Sequence, residues 1–277
     1  MIFKDVNNND IEWKRPHEIA NIVSETSEKP AFVKCGFSRF DIEQGSQLND
    51  CWALTVMANL ASTSKRLPNI FGKICNPTQS FDNDNHHFTF KFFERGKWCE
   101  VKVDDYLPWN TRKQKLLFVS STDKLEFWPC LLEKAYAKFK GSYADLNFGM
   151  ISCALHDMTG YEWKNIDTEE TDQMYYDICD KISSIGLVFA ACLGTKEHNV
   201  RDIGLISSHA YSITGFGGDV NHGKCLRLLN PWGHYEYTGS ESHVLNDVDD
   251  GEFVIKWTEF CKYFPYFTVP KLDKLNS

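Results

Sequence analysis

Residues Cys51–Ser62, CWALTVMANLAS, are apolar almost all the way round a helix. A helix on a surface shows a single apolar stripe, so one apolar on every side marks the middle of a core. Asn49 and Asp50 stand immediately before it as N-cap candidates. Cys51 therefore falls in the first turn, where free N–H groups and the helix dipole favour a thiolate and lower the cysteine pKa. A cysteine in this place is either a nucleophile or an ordinary small hydrophobe of the core.

The 277 residues suffice for one large core or two half-cores of ordinary domain size. In the first half, FTFKFF and KWCEVKVDDYL alternate as a β-hairpin turned by Glu94, Arg95 and Gly96. EFWPCLLEKAYAKFKG reads as a helix closed by Gly141. After Asn147 and Gly149 the texture changes. GLVFAACLG, HAYSITGFG, KCLRLLNPWG, GEFVIKW and YFTVPKL are apolar runs between turn residues, the pattern of an antiparallel sheet rather than of βαβ units. The acidic residues Glu169, Glu170 and Asp172 precede a further predicted helix. The class is α+β, with a helical half, a β-rich half and a cleft where they meet.

The net charge of −8 argues against a nucleic-acid partner, which needs clustered Lys and Arg. The amino-terminal stretch is polar, without the apolar core of a signal peptide, and no run is long enough to span a bilayer. Ten scattered cysteines contain no close CxxC pair, so thiols in a reducing, cytoplasmic setting are expected rather than disulfides or a zinc ribbon. His86 and His87 are adjacent in a polar loop with no third ligand spaced to help them bind metal.

A second chemical feature lies in HAYSITGFGGDVNHGKCLRLLN. Folded as a hairpin with its turn in residues 217–221, it pairs His209 directly with Asn230 on one sheet face. An Asn carbonyl beside an imidazole fixes its tautomer and orientation, as the third member of a thiol-protease triad does. The two could equally satisfy each other at the end of a sheet.

The segments DIEQGSQLNDCWAL, KLLFVSSTDKLEFWPCLLEKAYAKFKGSYADL, SSHAYSITGF, LLNPWGHYEYTG and DDGEFVIKW together resemble the calpain protease core, in the calpain order and over nearly the whole chain. The resemblance implies a papain-like, two-lobed fold. Residues 1–148 would form a half-core carrying the nucleophile, and residues 149–277 a β-rich half-core carrying His and Asn. It implies intracellular, calcium-dependent limited proteolysis by Cys51, His209 and Asn230, with Trp232 of NPWG bordering the substrate cleft. Protein substrates are implied as partners, as are further calpain-type domains or a subunit.

The family's oxyanion glutamine lies in a QGxxGDCW-type run. Here the run reads QGSQLNDCW, one residue longer, which assigns the role to Gln44 with the loop absorbing the insertion. Ser208 replaces the family's small residue before the histidine. Calcium is the implied cofactor, a hard cation held by carboxylates and carbonyls. One matching set is Lys34, Gly36, Asp41 and Glu126; the other is Glu236, Val248, Asp250 and Glu252, with His243 where a further Asp is expected. The alternatives are a catalytically impaired calpain-like protein that binds calcium or a partner, and a papain-like fold turned to transamidation or deubiquitination.

Overall fold

Ten of the eleven residues that follow Cys51 in the apolar segment are fully enclosed, and Cys51–Ser62 is one helix. The structure, a computed structural model, describes residues 10–24, 27–62, 70–82, 85–193, 200–217, 223–239 and 249–271. The chain opens with β1 (Ile11–Lys14), α1 (Pro16–Val23), β2 (Ile42–Glu43), α2 (Cys51–Ser62) and α3 (Ile70–Ile74). A hairpin follows, β3 (His87–Glu94) and β4 (Lys97–Asp104), then β5 (Leu107–Asn110), β6 (Lys115–Leu116), β7 (Ser120–Ser121) and α4 (Trp128–Lys140). Beyond it come α5 (Ile151–Thr159), β8 (Trp163–Asp167), α6 (Asp172–Ser184) and β9 (Val188–Cys192). The last elements are β10 (His209–Gly217), β11 (Cys225–Leu229), β12 (Glu252–Lys256), α7 (Trp257–Tyr263) and β13 (Tyr266–Pro270).

The local signals explain most of these. Arg95 and Gly96 turn β3 into β4 with φ of 51° and 82°, the two positive values that match the twist of a hairpin. Gly141, at φ 127°, ends α4. Thr171 caps α6 through its side chain, which accepts the Met174 N–H. The β-rich segments form one six-stranded sheet, ordered β12-β11-β10-β9-β13-β8, with every pairing antiparallel. Two elements are not evident in the sequence pattern. The first residue before α5, Met150, makes no side-chain cap, and β8 buries only Trp163.

The central strands β9 and β10 are buried on both faces, which is why they read as continuous apolar runs. Phe189 and Ala210 face the core around α2 and α4; Val188, Ala190, Tyr211 and Ile213 face the core beneath α6 and α7. The larger of these side chains, Phe189, Val188 and Ile213, each contribute about 1.5–3 kcal/mol relative to exposure. Polar groups between α2 and β10 are paired: Thr55 donates its hydroxyl to the Ala210 carbonyl at 3.2 Å, and Ser212 donates to the Thr55 carbonyl at 3.2 Å.

A further tie joins distant parts of the chain. Arg39, in a short 3₁₀ turn before β2, pairs with the Glu252 carboxylate of β12 at 3.0 Å, and the Thr214 hydroxyl donates to the same oxygen. Glu252 is nearly buried, so Arg39→Ala leaves its carboxylate with only Arg227, 4.0 Å from the other oxygen, as a cation. Because Arg39 keeps some solvent contact and Thr214 remains, a loss of about 1–3 kcal/mol is expected rather than the full cost of a broken buried pair. Thermal unfolding of Arg39→Ala alongside Glu252→Gln checks this; unchanged melting in both variants contradicts it.

Candidate active site

The head of α2 and the start of β10 meet in a cleft of about 450 Å³, lined by Gln44, Cys51, Phe148, His209 and Trp232 among others. Asp50 caps α2 with its backbone: the Ala53 and Leu54 N–H groups donate to its carbonyl at 2.8 and 3.1 Å. Cys51 is thereby set in the first turn with 9% of its surface exposed. The backbone N–H groups at the helix end favour the thiolate, but burial outweighs them. Burial pushes the thiol up to about 11, and the neighbouring Asp50 carboxylate adds to the rise, against a backbone hydrogen bond from Ala210.

His209 Nε2 lies 2.8 Å from Asn230 Oδ1. The Asn230 amide is locked, because Nδ2 donates to the carbonyls of His234 and Tyr235 while Oδ1 also accepts the Trp232 N–H at 3.1 Å. Facing a fixed acceptor, His209 Nε2 carries the proton and Nδ1 is left with its lone pair. The Trp232 ring stands edge-on to His209 at 5.1 Å and borders the cleft. The hairpin register differs from the expected one. Ser212 pairs with Leu229 and, across a bulge between Ile213 and Gly215, Gly217 pairs with Cys225, so His209 and Asn230 are diagonal rather than directly opposite. The offset at the cleft end is two residues, which keeps both side chains on one face. Of the turn expected in residues 217–221, Gly217 is still paired with Cys225 and the rest lies outside the described residues.

No hydrogen bond joins Cys51 to His209, and burial lowers His209 to about 4. Both groups are neutral at pH 7. This has a consequence for stability. The unfolded chain protonates His209 near its ordinary value of about 6.5, and the folded one resists until about 4. The contribution is therefore complete above the unfolded value and is lost as pH falls through this window, amounting to at most roughly 3 kcal/mol. Urea titrations at neutral pH and at about pH 4 should show the stability advantage of wild type over His209→Gln shrinking by that order.

Gln44 lines the cleft, but its amide is engaged elsewhere: Nε2 donates to the Leu48 carbonyl at 3.0 Å and to Asp50 Oδ1 at 3.2 Å. Its Oε1 is buried without a partner. Ser208 sits at φ 57°, the left-handed region where a residue with a Cβ is strained by roughly 1–2 kcal/mol.

Of the two calcium sets, the first brings two carboxylates together, each already accepting protein hydrogen bonds: Asp41 from the Ser38 N–H and the Trp128 indole, Glu126 from Ser121. Asp41 and Glu126 are carboxylates raised by burial, and each is close enough for Asp41 to raise Glu126 further. The Lys34 N–H donates to Glu126 at 2.8 Å, and Gly36 turns the intervening chain at φ 94°. The second set is described only in part. Glu236 accepts the Asp250 N–H at 3.2 Å, Glu252 Oε1 is held by Arg39 and Thr214, and Val248 lies outside the described residues, as does His243. Among the described residues, no three His, Cys, Asp or Glu side chains gather as a metal cluster. His86 pairs with Asp105 at 3.0 Å.

An α+β fold with a cysteine heading a buried helix, facing a His and Asn hydrogen-bonded to each other at the end of a sheet, belongs to the papain-like class of cysteine proteases. Residues 2–271 match the family described as calpain family cysteine protease, and the chain belongs to that family. It is 35% identical to mouse calpain-9 over 276 residues, 91% of this chain and 38% of that protein. It is 36% identical to Drosophila melanogaster calpain-B over 281 residues, 91% of this chain and 29% of that one. With the mouse calpain-2 catalytic subunit it shares 34% identity, across 92% and 38% of the two chains. The chain thus spans less than two-fifths of the length of these relatives.

Proposed function

We propose that the chain is a calcium-dependent cysteine endopeptidase that cleaves cytosolic proteins at limited sites, with Cys51, His209 and Asn230 as its triad. The observation that carries this reading is the locked Asn230 amide, which presents His209 with Nδ1 unprotonated. In the reaction His209 Nδ1 takes the Cys51 proton, the thiolate attacks the scissile carbonyl, and the imidazolium returns the proton to the leaving amine. A water molecule, deprotonated by His209, then releases the acyl group from sulfur. The Cys51 N–H, free at the head of α2, is one oxyanion donor. Gln44 is the second once its amide turns from Leu48 and Asp50 toward the cleft. Trp232 shields the hydrogen bond between His209 and Asn230 from water.

Residues 1–148 and 149–277 act as the two halves whose meeting forms the cleft. Lys34, Gly36, Asp41 and Glu126 would hold one calcium ion, whose charge offsets the repulsion between the two carboxylates. Protein substrates, a cytoplasmic setting that keeps Cys51 reduced, and further domains or a subunit of the calpain kind belong to the same proposal. Among the described residues no helix is long and apolar enough to cross a membrane.

A second reading, a calpain-like protein without turnover that binds calcium or a partner, draws on the raised Cys51 thiol and the engaged Gln44 amide. Cleavage of an unfolded protein, titrated with calcium and then with chelator, separates the two. Calcium-stimulated cleavage supports the protease; calcium binding without cleavage supports the second reading.

A further inference from the structure

Behind the nucleophile, two acidic side chains are buried against each other. Asp50 is 1% exposed and Glu133, from α4, is 2% exposed, and their carboxyls lie against each other. Two carboxyls buried this close stay together only when one carries a proton. Asp50 Oδ1 accepts from Gln44, while no N–H or other hydroxyl reaches Oδ2, which leaves the Glu133 carboxyl to satisfy it. Glu133 in turn accepts the Val119 N–H at 3.2 Å. The neighbouring Phe118 carbonyl lies 2.2 Å from where a Cβ on Gly45 would be, so the loop carrying Gln44 rests flush on this segment. The pair thus ties the loop before Cys51 to α4 and to residues 118–119.

The titratable groups facing the pair are Cys51 on α2, Cys130 on α4 and Tyr143 after it. Burial raises all three, so none brings a charge at neutral pH. Loop 44–49 and residues 117–119 contribute no ionisable side chain. Burial, and the charge of Asp50, hold Glu133 protonated well above the usual carboxylate range; burial raises Asp50 to about 7. An ionised Asp50 works against a thiolate at Cys51.

We propose that Asp50 and Glu133 are positioning residues that share a proton, and that this proton seats Gln44 and limits the negative charge beside Cys51 to one. The inference deepens the cysteine-protease reading and rests on it for the importance of Cys51. Its test needs no turnover, so the two can fail separately.

The rate of iodoacetamide labelling at Cys51, read by mass spectrometry of its peptide across pH, reports the thiol. Asp50→Asn should move the labelling midpoint down by about one pH unit, since a like charge is removed at contact range. Glu133→Gln, which still donates to an ionised Asp50, should keep the wild-type midpoint. A purely structural role changes the melting temperature of these variants without that difference. Infrared spectra at about pH 8 should contain a protonated-carboxyl stretch in wild type that Glu133→Gln lacks. Coincident midpoints for wild type and Asp50→Asn, or no protonated carboxyl in wild type, overturn the proposal. Should Asp50→Asn not fold, the infrared comparison decides alone.

Discussion

Cys51→Ala is expected to lower the rate of cleavage of an unfolded protein by at least about 10⁴-fold, because removing a nucleophile eliminates the covalent route entirely. No neighbouring hydroxyl replaces it: Ser207, also in the cleft, donates to the Leu193 carbonyl at 2.9 Å, and Ser208 belongs to the strained residue before His209. The structural cost should be small by comparison. The sulfur is a small group at the edge of the core, and its loss costs about 1 kcal/mol, a melting shift of a few degrees at most. A large loss of cleavage with melting nearly unchanged assigns the chemistry to Cys51. Equal cleavage by wild type and variant, in calcium and in chelator, would place any activity elsewhere.

The raised thiol makes this contrast informative. On the proposed triad, a neutral Cys51 and a neutral His209 are a resting pair, and the reacting ion pair forms only when the cleft fills or tightens. The groups that set its formation are those around Cys51: the carboxylate of Asp50, the backbone at Ala210 and the Gln44 amide. If the chain cleaves as proposed, its rate depends on the placement of this loop, which the one-residue insertion in QGSQLNDCW directly affects.

Much of the fold was legible because its signals are local or periodic. The helix behind Cys51 announces itself by being apolar on all sides, the hairpin by Arg95 and Gly96, and the sheet by its apolar runs between turns. The pairing of His209 with Asn230 was legible for a subtler reason. The expected register was wrong by two residues at the cleft end, yet an even error there leaves His209 and Asn230 on one face. What the sequence could not show depends on contacts between distant segments. Glu252 pairs with Arg39, more than two hundred residues earlier, a contact that no local pattern announces. Asp50 looks like a side-chain helix cap, but its carboxyl turns to Glu133 and its carbonyl does the capping. Gln44 keeps its Gln-Gly signature while its N–H groups are committed to its own loop. Burial, which decides the protonation of Cys51 and His209, has no one-dimensional signature.

Asn230→Ala should produce a loss of both stability and rate, unlike Cys51→Ala. The side chain is fully buried and serves four partners: His209, the Trp232 N–H, and the carbonyls of His234 and Tyr235. Truncation leaves these groups without their hydrogen bonds at a cost of about 1–3 kcal/mol for each that stays dry, so a total of several kcal/mol is expected after water enters the gap. The rate should fall by roughly 10²–10⁴-fold, since an imidazole free to rotate or change tautomer offers its lone pair to Cys51 only part of the time. Asn230→Asp distinguishes the two effects. It keeps an acceptor for His209 Nε2 but replaces the donor to the His234 and Tyr235 carbonyls, so stability should fall while the imidazole is more easily protonated. Its pH–rate profile should then rise at lower pH than that of Asn230→Ala relative to thiol ionisation, because a carboxylate beside His209 stabilises the ion pair with Cys51. Identical profiles for the two variants would mean that Asn230 acts through packing alone.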